Sequence, residues 1–376
     1  MTDSGEQLQQ RLERVLLGGR RKYTRLEVAE KAGVPEDRSR RLWRALGFAT
    51  VGDDEVVFTD ADVEAMRTAD QLVQSGLVDP GVEVSVTRAL GQHLSRLAEW
   101  QVDMLWELIE AQPELGRSER QIARFVERLL PELEQVQNFV WRRHLAAYAG
   151  RAFAADEHLE TRTEVVGFVD MVGYTRLTRQ IDEDELSRVL DAFETLATEV
   201  IAEHHGRVVK MIGDEVLFVA DSPVDAAEIA LALTERTSAD DSLPAVRAGM
   251  ASGRILSRFG DVYGSVVNLA ARLTSVARPG TILIDRELAA ELADEEKYEI
   301  RLRRPVTVRG YNRLRPAALR RAPEAPTGMF ASSQQLAAEM LGLADPAARE
   351  EPATPPEEQV TESPEPRPRR RRRRIL

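Results

Sequence analysis

The stretch from residue 161 to residue 284 constrains the fold most, because its hydrophobic period alternates between two residues and about 3.6 residues. The apolar run TEVVGFVD is typical of a strand, and the amphipathic segment DEDELSRVLDAFETLATEVIAEHH after it is typical of a helix. A hairpin over 207–211 and 215–220, the Ser-capped helix SPVDAAEIALALTERT and the strand PAVRAGMASG come next. The helix SVVNLAARLTSVA and the strand TILI close the stretch. The order β-α-β-β-α-β predicts a ferredoxin-like α+β sheet, with extra elements after it.

Changes in composition divide the rest of the chain. We expect an all-helical domain over 1–150, a linker over 151–160, the α+β domain over 161–322 and a disordered tail over 323–376. The tail is rich in Pro, Glu and Ala, a composition that cannot bury enough apolar surface to fold. Within the helical domain, DDEVVF at 53–58 is expected to form a turn or a short β-wing.

An apolar seam at alternating steps of four and three residues is predicted near the end of the helical domain. Its members are Ile122, Val126, Leu129, Leu133, Val136 and Val140. The seam can bury itself within a bundle or against a second copy of the chain. Pro131 lies inside it, and the missing N–H of proline predicts a kink or a new helix start there.

The composition excludes several kinds of site and partner. The chain has no cysteine, which rules out disulfides, thiolate zinc sites and cysteine nucleophiles. No segment reaches the roughly eighteen consecutive apolar residues of a membrane span, and the start is too polar for a secretory signal, so we expect a cytoplasmic protein. The net charge of -12 argues against broad nucleic-acid affinity. The arginines at 369–374 are expected to be a solvated tail or a contact for anionic lipid or RNA.

Two aspartates lie at predicted strand ends. Asp170 ends the run VVGFVD, and Asp214 lies in the Gly-Asp turn of the predicted hairpin. Taken singly, each is an ordinary strand-end or turn residue exposed to water. If the two strands are neighbours, the carboxylates converge at one edge of the sheet and offer the oxygen ligands that Mg²⁺ or Mn²⁺ prefers.

Two further motifs carry groups suited to a phosphorylated ligand. Gly173 in MVGYT lets backbone N–H groups turn toward a bound phosphate at the start of a helix. Asn268 and Arg272 in GDVYGSVVNLAARL are four residues apart, so a helix places both on one face. The alternative interpretation of this pair is an ordinary polar helix face.

Three stretches taken together resemble one protein family. GFVDMVGYTRLT, KMIGDEVLFVA and GDVYGSVVNLAARL are similar to the three signature stretches of the class III nucleotidyl cyclase catalytic domain, in the family's order and at about its spacing. The resemblance covers roughly residues 161–312 and follows the adenylate cyclase pattern. It implies an enzyme that converts ATP into 3′,5′-cyclic AMP and pyrophosphate.

The resemblance also implies roles for single residues. Asp170 and Asp214 would hold two divalent cations, Mg²⁺ or Mn²⁺, and Lys210 and Asp261 would read the purine. Lys210 is one of only four lysines among 51 basic residues. Adenine presents an acceptor at N1 and a donor at its 6-amino group, which a lysine and an aspartate complement, whereas guanine presents the reverse pattern. Guanylate cyclase is therefore the less favoured enzyme.

The remaining motif residues complete the implied site. Asn268 would orient the ribose, Arg272 would stabilise the transition state, and Arg309 in VTVRGYN is the nearest candidate to grip the leaving pyrophosphate. In this family the base-reading and metal-binding groups of one site come from opposite subunits. We therefore expect a head-to-tail homodimer with two composite active sites. A catalytically silent nucleotide-binding dimer is the main alternative, disfavoured because the metal-binding and transition-state positions are all filled.

The N-terminal block allows two interpretations. YTRLEVAEKAGVPEDRSRRLWRALGF has the outline of a helix-turn-helix and is similar to the start of MerR-type regulators. Residues 1–150 carry 20 basic and 25 acidic groups, an acidic balance that does not suit DNA binding. The block resembles more closely the helical regulatory domain of some soluble actinobacterial cyclases, which implies acid-responsive activity. His144 and His158 flank the predicted junction and are candidate pH sensors, unless both are simply exposed.

Overall fold

Six helices lie among the described residues of the N-terminal part of the chain, in a computed structural model that describes residues 3–112, 118–154, 161–308 and 310–323. They are α1 (Asp3–Leu16), α2 (Arg25–Ala32), α3 (Glu36–Ala45), α4 (Asp60–Gln74), α5 (Glu83–Glu110) and α6 (Glu119–Ala154). The predicted disordered tail lies outside the described residues, apart from its first position. Nowhere in the described ranges is a helix both long and apolar enough to cross a membrane.

The helix-turn-helix outline of the sequence folds as α2 and α3. The hydroxyl of Thr24 accepts a hydrogen bond from the backbone of Glu27, and the Glu27 carboxylate accepts one from the backbone of Thr24, which together cap the start of α2. Gly33, in the left-handed conformation, ends this helix. The segment 53–58 forms a turn and a single antiparallel bridge, between Phe58 and Tyr23.

Helix α6 is longer than the sequence predicted. It is continuous through Pro131, so no new helix starts there, and it continues to Ala154, so the first four residues of the predicted linker are helical. The run LAAYAGRAFA, which ends with these four residues, consists mostly of good helix formers, which explains the extension. The predicted apolar seam is covered only at its start, because Val126 is 5% exposed and Val136 is 61% exposed.

The second part of the chain is built on a large sheet. Its strands are β1 (Thr161–Met171), β2 (Arg207–Ile212), β3 (Glu215–Ala220), β4 (Val246–Arg258), β5 (Asp261–Tyr263), β6 (Ile282–Ile284), β7 (Tyr298–Leu302) and β10 (Ala317–Arg321), while β8 (Val306–Val308) and β9 (Tyr311–Leu314) pair separately. The helices of this part are α7 (Tyr174–Leu177), α8 (Glu183–Glu203), α9 (Pro223–Ala239), α10 (Ser265–Val276) and α11 (Arg286–Glu291).

The strand order confirms the predicted ferredoxin-like α+β fold. The sheet runs β2-β3-β1-β4-β6-β10-β7, with β5 paired to β4. Strand β1 pairs antiparallel with both β3 and β4, and β4 pairs in parallel with β6. The first four strands and the helices α8 and α9 between them form the predicted β-α-β-β-α-β unit.

The sheet separates two apolar cores, because successive side chains of a strand point to opposite faces. Val165 and Val169 of β1 contribute to the core shared with α8 and α9, whereas Val166 and Phe168 contribute to the core beneath α10. Asp170 follows this alternation onto the α10 face. The α10 face is therefore the side of the sheet on which the candidate site lies.

Helix α10 approaches the sheet closely because residue 249 of β4 is a glycine. A Cβ atom added to Gly249 would lie 2.1 Å from the backbone nitrogen of Thr274 and 2.6 Å from the carbonyl oxygen of Ala270. Both atoms belong to the backbone of α10, so they cannot move without moving the helix. The glycine thus sets the height above the sheet of the helix that carries Asn268 and Arg272.

We expect Gly249→Ala to lower the thermal unfolding midpoint of the part of the chain that is built on the large sheet. Overpacking of this kind costs about 1 to 3 kcal/mol, and the fixed backbone of α10 favours the upper end. Differential scanning calorimetry measures the effect. The control is Gly150→Ala in α6, where an added Cβ meets no atom within 4 Å and the helix should gain up to about 1 kcal/mol. Equal midpoints for wild type and Gly249→Ala would contradict the expectation.

Candidate active site

The two aspartates predicted at strand ends lie on neighbouring strands. Asp170 of β1 is in register with Glu215 of β3. Asp214 immediately precedes Glu215, in the turn between β2 and β3. The backbone nitrogen of Met171 donates a hydrogen bond of 3.0 Å to the carbonyl oxygen of Asp214, which fixes the turn against the end of β1. The structure thus brings both aspartates to one edge of the sheet.

Arg247 of β4 contacts the same edge, and sequence reasoning missed it. It is in register with Asp170, and its Nε and Nη2 atoms lie 2.7 and 2.6 Å from the Oδ2 atom of that carboxylate. A third nitrogen, Nη1, donates to the carbonyl oxygen of Ser275 in α10 at 3.4 Å. The only available signal was the pairing of β4 with β1, which local periodicity does not reveal.

The carboxylates at this edge repel one another. Burial, followed by the charges of Asp170 and Asp214, raises the pKa of Glu215 to about 7. Burial is also the main cause that raises the pKa of Asp214, and the charge of Asp170 adds to it. These oxygens lack positive charge even with Arg247 present, which is the environment that suits a divalent cation.

A cation at this edge would need ligands from elsewhere. Within the described part of the chain, no three His, Cys, Asp or Glu side chains converge as a ready-made ligand set. Mg²⁺ commonly binds one or two carboxylates and completes its octahedron with water and substrate phosphates. The residues therefore fit a metal that is held jointly by protein and substrate.

Lys210 lies beside an irregularity in β2. Val208 lies opposite Phe218 of β3 and Lys210 lies opposite Leu217, so Val209 is an extra residue that forms a β-bulge. Nothing in the local sequence predicts this bulge, because Val208 and Val209 are both good strand residues.

The hairpin turn decides which face Lys210 occupies. Directly opposite residues share a face, and Leu217 belongs to the core beneath α10, whereas Phe218 belongs to the core beneath α8 and α9. Counted from the pair of Ile212 and Glu215 beside the turn, Lys210 lies opposite Leu217 and therefore on the same face as Asp170. The bulge at Val209 shifts only the residues of β2 that precede it.

Lys210 and Asp261 form an ion pair on this face. The Nζ atom of Lys210 lies 2.7 Å from Oδ2 of Asp261, and the two side chains are 38% and 31% exposed. The Oδ1 atom of Asp261 accepts a hydrogen bond of 2.9 Å from the backbone nitrogen of Val262, which orients the carboxylate. One ammonium donor and one carboxylate acceptor are thus held side by side and remain open to a ligand.

The other predicted site residues are placed less completely. Asn268 is exposed and Arg272 is half-buried on α10, and among the described residues neither side chain has a hydrogen-bond partner. Gly173 has a φ of 84° and precedes the short helix α7, and its carbonyl oxygen accepts hydrogen bonds from the backbone of Arg176 and Leu177. Arg309 lies outside the described residues.

The arginines of α3 bear on the DNA-binding interpretation. Arg38 is only 15% exposed, and its guanidinium pairs with Asp70 of α4 and with Glu83 of α5 at 2.7 Å. These two carboxylates raise the pKa of Arg38 and hold it between three helices. Arg38 therefore links three helices through salt bridges and is not available to a DNA phosphate.

Comparison with known proteins identifies both parts of the chain. The adenylate and guanylate cyclase catalytic domain matches residues 159–320, and the adenylate cyclase regulatory domain matches residues 5–141. An adenylate cyclase of Streptomyces coelicolor is 46% identical over 294 residues, which cover 77% of this chain and 77% of that protein. The chain belongs to the class III adenylate cyclase family. The resemblance seen in the sequence and the predicted N-terminal regulatory domain are thereby confirmed.

Two further proteins are similar to this cyclase. A pH-sensitive adenylate cyclase of Mycobacterium tuberculosis is 35% identical over 280 residues, covering 71% of this chain and 69% of the relative. The crystal structure of the adenylyl cyclase CyaB from P. aeruginosa is 20% identical and covers 44% of this cyclase and 98% of that chain, with a TM-score of 0.39.

Proposed function

We propose that this chain converts ATP into 3′,5′-cyclic AMP and pyrophosphate, and that Lys210 and Asp261 select the adenine. The observation that carries the proposal is the pair itself, with Nζ and Oδ2 at 2.7 Å on the accessible face of the sheet. The Lys210 ammonium donates to N1 of adenine, and the Asp261 carboxylate accepts from its 6-amino group. Guanine, with a donor at N1 and an acceptor at O6, leaves both protein groups without a partner.

The carboxylates at the sheet edge are proposed to hold the metals. Asp170 and Asp214 would bind two Mg²⁺ or Mn²⁺ ions, and the raised pKa values of Asp214 and Glu215 support a demand for positive charge here. When held there, the ions would supply positive charge that lowers the pKa of the ribose 3′-hydroxyl and neutralises the triphosphate. Arg247 holds the Asp170 carboxylate in place at 2.6 Å.

The residues of α10 act on the sugar and the reacting phosphate in this proposal. Asn268 donates to the ribose, and Arg272 stabilises the additional negative charge on the α-phosphate in the transition state. The 3′-oxygen forms a bond to the α-phosphorus, the bond from that phosphorus to the β-bridging oxygen breaks, and the 3′-proton passes to solvent. No part of this sequence requires a covalent enzyme intermediate.

A second copy of the chain is proposed to complete each site. Asp170 and Asp214 of one subunit would act with Lys210, Asp261, Asn268 and Arg272 of the other, in a homodimer with two composite sites. Within one chain, Met211 and Ile212 separate Lys210 from the turn, a distance of about 10 Å along the strand. A catalytically silent dimer would contain the same sites and form no product.

Control of activity is proposed to come from the helical region. The named relative that is pH-sensitive supports a response to pH in this chain too. Of the two candidate histidines, His144 is exposed on α6, with its ring stacked on Tyr148 at a centroid distance of 6.3 Å, and His158 lies outside the described residues.

The test is cyclic nucleotide production by the purified full chain, supplied with ATP or GTP and either Mn²⁺ or Mg²⁺. We expect cyclic AMP from ATP, and at least about a hundredfold less cyclic GMP from GTP, because the unpaired polar groups penalise the wrong base. Chromatography of the products measures both. Nucleotide binding without any cyclic product under either metal would contradict the proposal and favour the silent dimer.

A further inference from the structure

Helix α5 of the regulatory region contacts the catalytic part next to the purine-reading pair. The Nε2 atom of His93 lies 3.1 Å from the carbonyl oxygen of Phe259, a residue 166 positions away. A carbonyl oxygen only accepts, so Nε2 carries the proton and the imidazole donates. A Cβ atom added to Gly260 would lie 3.8 Å from the same Nε2, which places the ring against the turn itself.

The contacted turn is conformationally demanding. Arg258 of β4 is paired with Asp261 of β5, so Phe259 and Gly260 form a two-residue hairpin loop. Both have left-handed backbones, with φ values of 53° and 82°. This conformation suits Gly260, but it costs a residue with a Cβ atom about 1 kcal/mol. A hydrogen bond to the Phe259 carbonyl therefore fixes a peptide group that would otherwise relax.

The turn leads directly into the purine-reading pair. Asp261 is the first residue after Gly260, and its carboxylate contacts Lys210 at 2.7 Å. Rotation of the peptide group at Phe259 would shift the start of β5 and, with it, the carboxylate. Only Gly260 separates the carbonyl group that His93 contacts from Asp261, whose backbone orients the carboxylate toward the ligand.

The position of His93 is set by the helical region. Glu83, at the start of α5, pairs with Arg38 of α3 at 2.7 Å. Gly91 lies so close to α3 that an added Cβ would be 2.4 Å from the carbonyl oxygen of Leu46. His93 follows two residues later, so its place above the turn depends on how α5 is held by α3.

The space beside the contact belongs to the same ligand environment. A cavity of about 780 Å³ is lined by Arg88, His93 and Arg96 of α5 and by Lys210 and Asp261. The regulatory helix therefore forms one wall of the space into which the purine-reading pair opens.

We propose that His93 is a positioning residue, through which the regulatory region aims Asp261 and sets the affinity and base selectivity for ATP. The inference rests on the proposed function and deepens it. The imidazole does not touch the reacting atoms, since it acts through the Phe259 carbonyl. Its loss therefore weakens purine recognition and leaves the metal-binding edge at Asp170 and Asp214 unchanged.

The experiment compares full-length wild type, His93→Ala, His93→Gln and Glu107→Ala. We expect His93→Ala to raise the KM for ATP about fivefold and to lower the ATP-to-GTP preference, with kcat within about twofold of wild type, since one neutral hydrogen bond is lost. The amide of His93→Gln still donates to a carbonyl, so this variant should recover most of the wild-type KM. Glu107→Ala changes an exposed residue of the same helix that does not line the cavity, and it should match wild type.

Several outcomes would overturn the inference. An unchanged KM in His93→Ala, no recovery in His93→Gln, or a loss confined to kcat would each exclude a positioning role. A lower KM in His93→Ala would show that the contact restrains the site and does not support it. An inactive wild type would contradict the proposed function itself, which keeps the two failures distinguishable.

Discussion

Asp214→Asn is expected to reduce cyclic AMP production by about a thousandfold, which corresponds to about 4 kcal/mol of transition-state stabilisation. The substitution keeps the size of the side chain and removes the negative charge that the proposed metals require. Rates of the full-length variant and wild type with saturating ATP and Mn²⁺ measure the loss. Activity above a tenth of wild type would exclude Asp214 as a metal ligand.

A stability measurement on the same variant separates lost chemistry from lost folding. The pKa of Asp214 is raised in the folded state, chiefly by burial, so its ionised form at neutral pH lowers the free energy of unfolding. The neutral asparagine lacks this penalty. We therefore expect the thermal midpoint at pH 7.5, without added metal, to equal or exceed that of wild type, with the difference vanishing at acid pH. Asp241→Asn, an exposed loop carboxylate, serves as the control and should change neither quantity.

The double variant Lys210→Glu with Asp261→Asn is expected to invert the base preference. The new glutamate accepts from N1–H of guanine, and the new asparagine amide donates to O6, so the pattern that matched adenine now matches guanine. We expect kcat/KM for ATP to fall by about 100- to 1000-fold and the GTP-to-ATP ratio to rise above one. Because both wild-type side chains are partly exposed, we expect this fall in kcat/KM to be smaller than the largest effects seen at fully buried sites.

The single variant Lys210→Glu is the matched control for this inversion. It leaves two carboxylates facing each other and no donor for O6, so it should lose activity with ATP without gaining activity with GTP. Steady-state rates with both nucleotides measure the four combinations. If the double variant keeps the wild-type preference, Lys210 and Asp261 are not the groups that read the base.

The sequence predicted the fold from elements that are locally encoded. The apolar run TEVVGFVD, the Ser cap of α9 and the Gly-Asp turn each depend on residues close in the chain, and each lies where it was expected. The position of Asp170 and Asp214 at one edge followed, because the predicted hairpin and β1 are neighbours in the ferredoxin-like order. Local sequence patterns could not predict contacts between residues that are distant in the chain.

Three features required the assembled structure. Arg247 meets Asp170 only because β4 pairs with β1 in one register. Arg38 lies in the helix-turn-helix outline, and only the packing of α4 and α5 places Asp70 and Glu83 beside it. Both depend on side chains far apart in sequence, whose meeting is decided by tertiary packing.

The third such feature is the bulge at Val209, which shifts only the start of β2 and leaves Lys210 in the register that the turn sets. The proposed base recognition therefore depends on the number of residues between Lys210 and the turn as well as on residue identity. A deletion of Met211 would preserve every residue with a proposed role, from Asp170 to Arg272, and would place the lysine opposite Val216, on the α8 face. Substitutions at this strand adjust recognition by degrees, whereas an insertion or deletion on the turn side of Lys210 switches it between two discrete states.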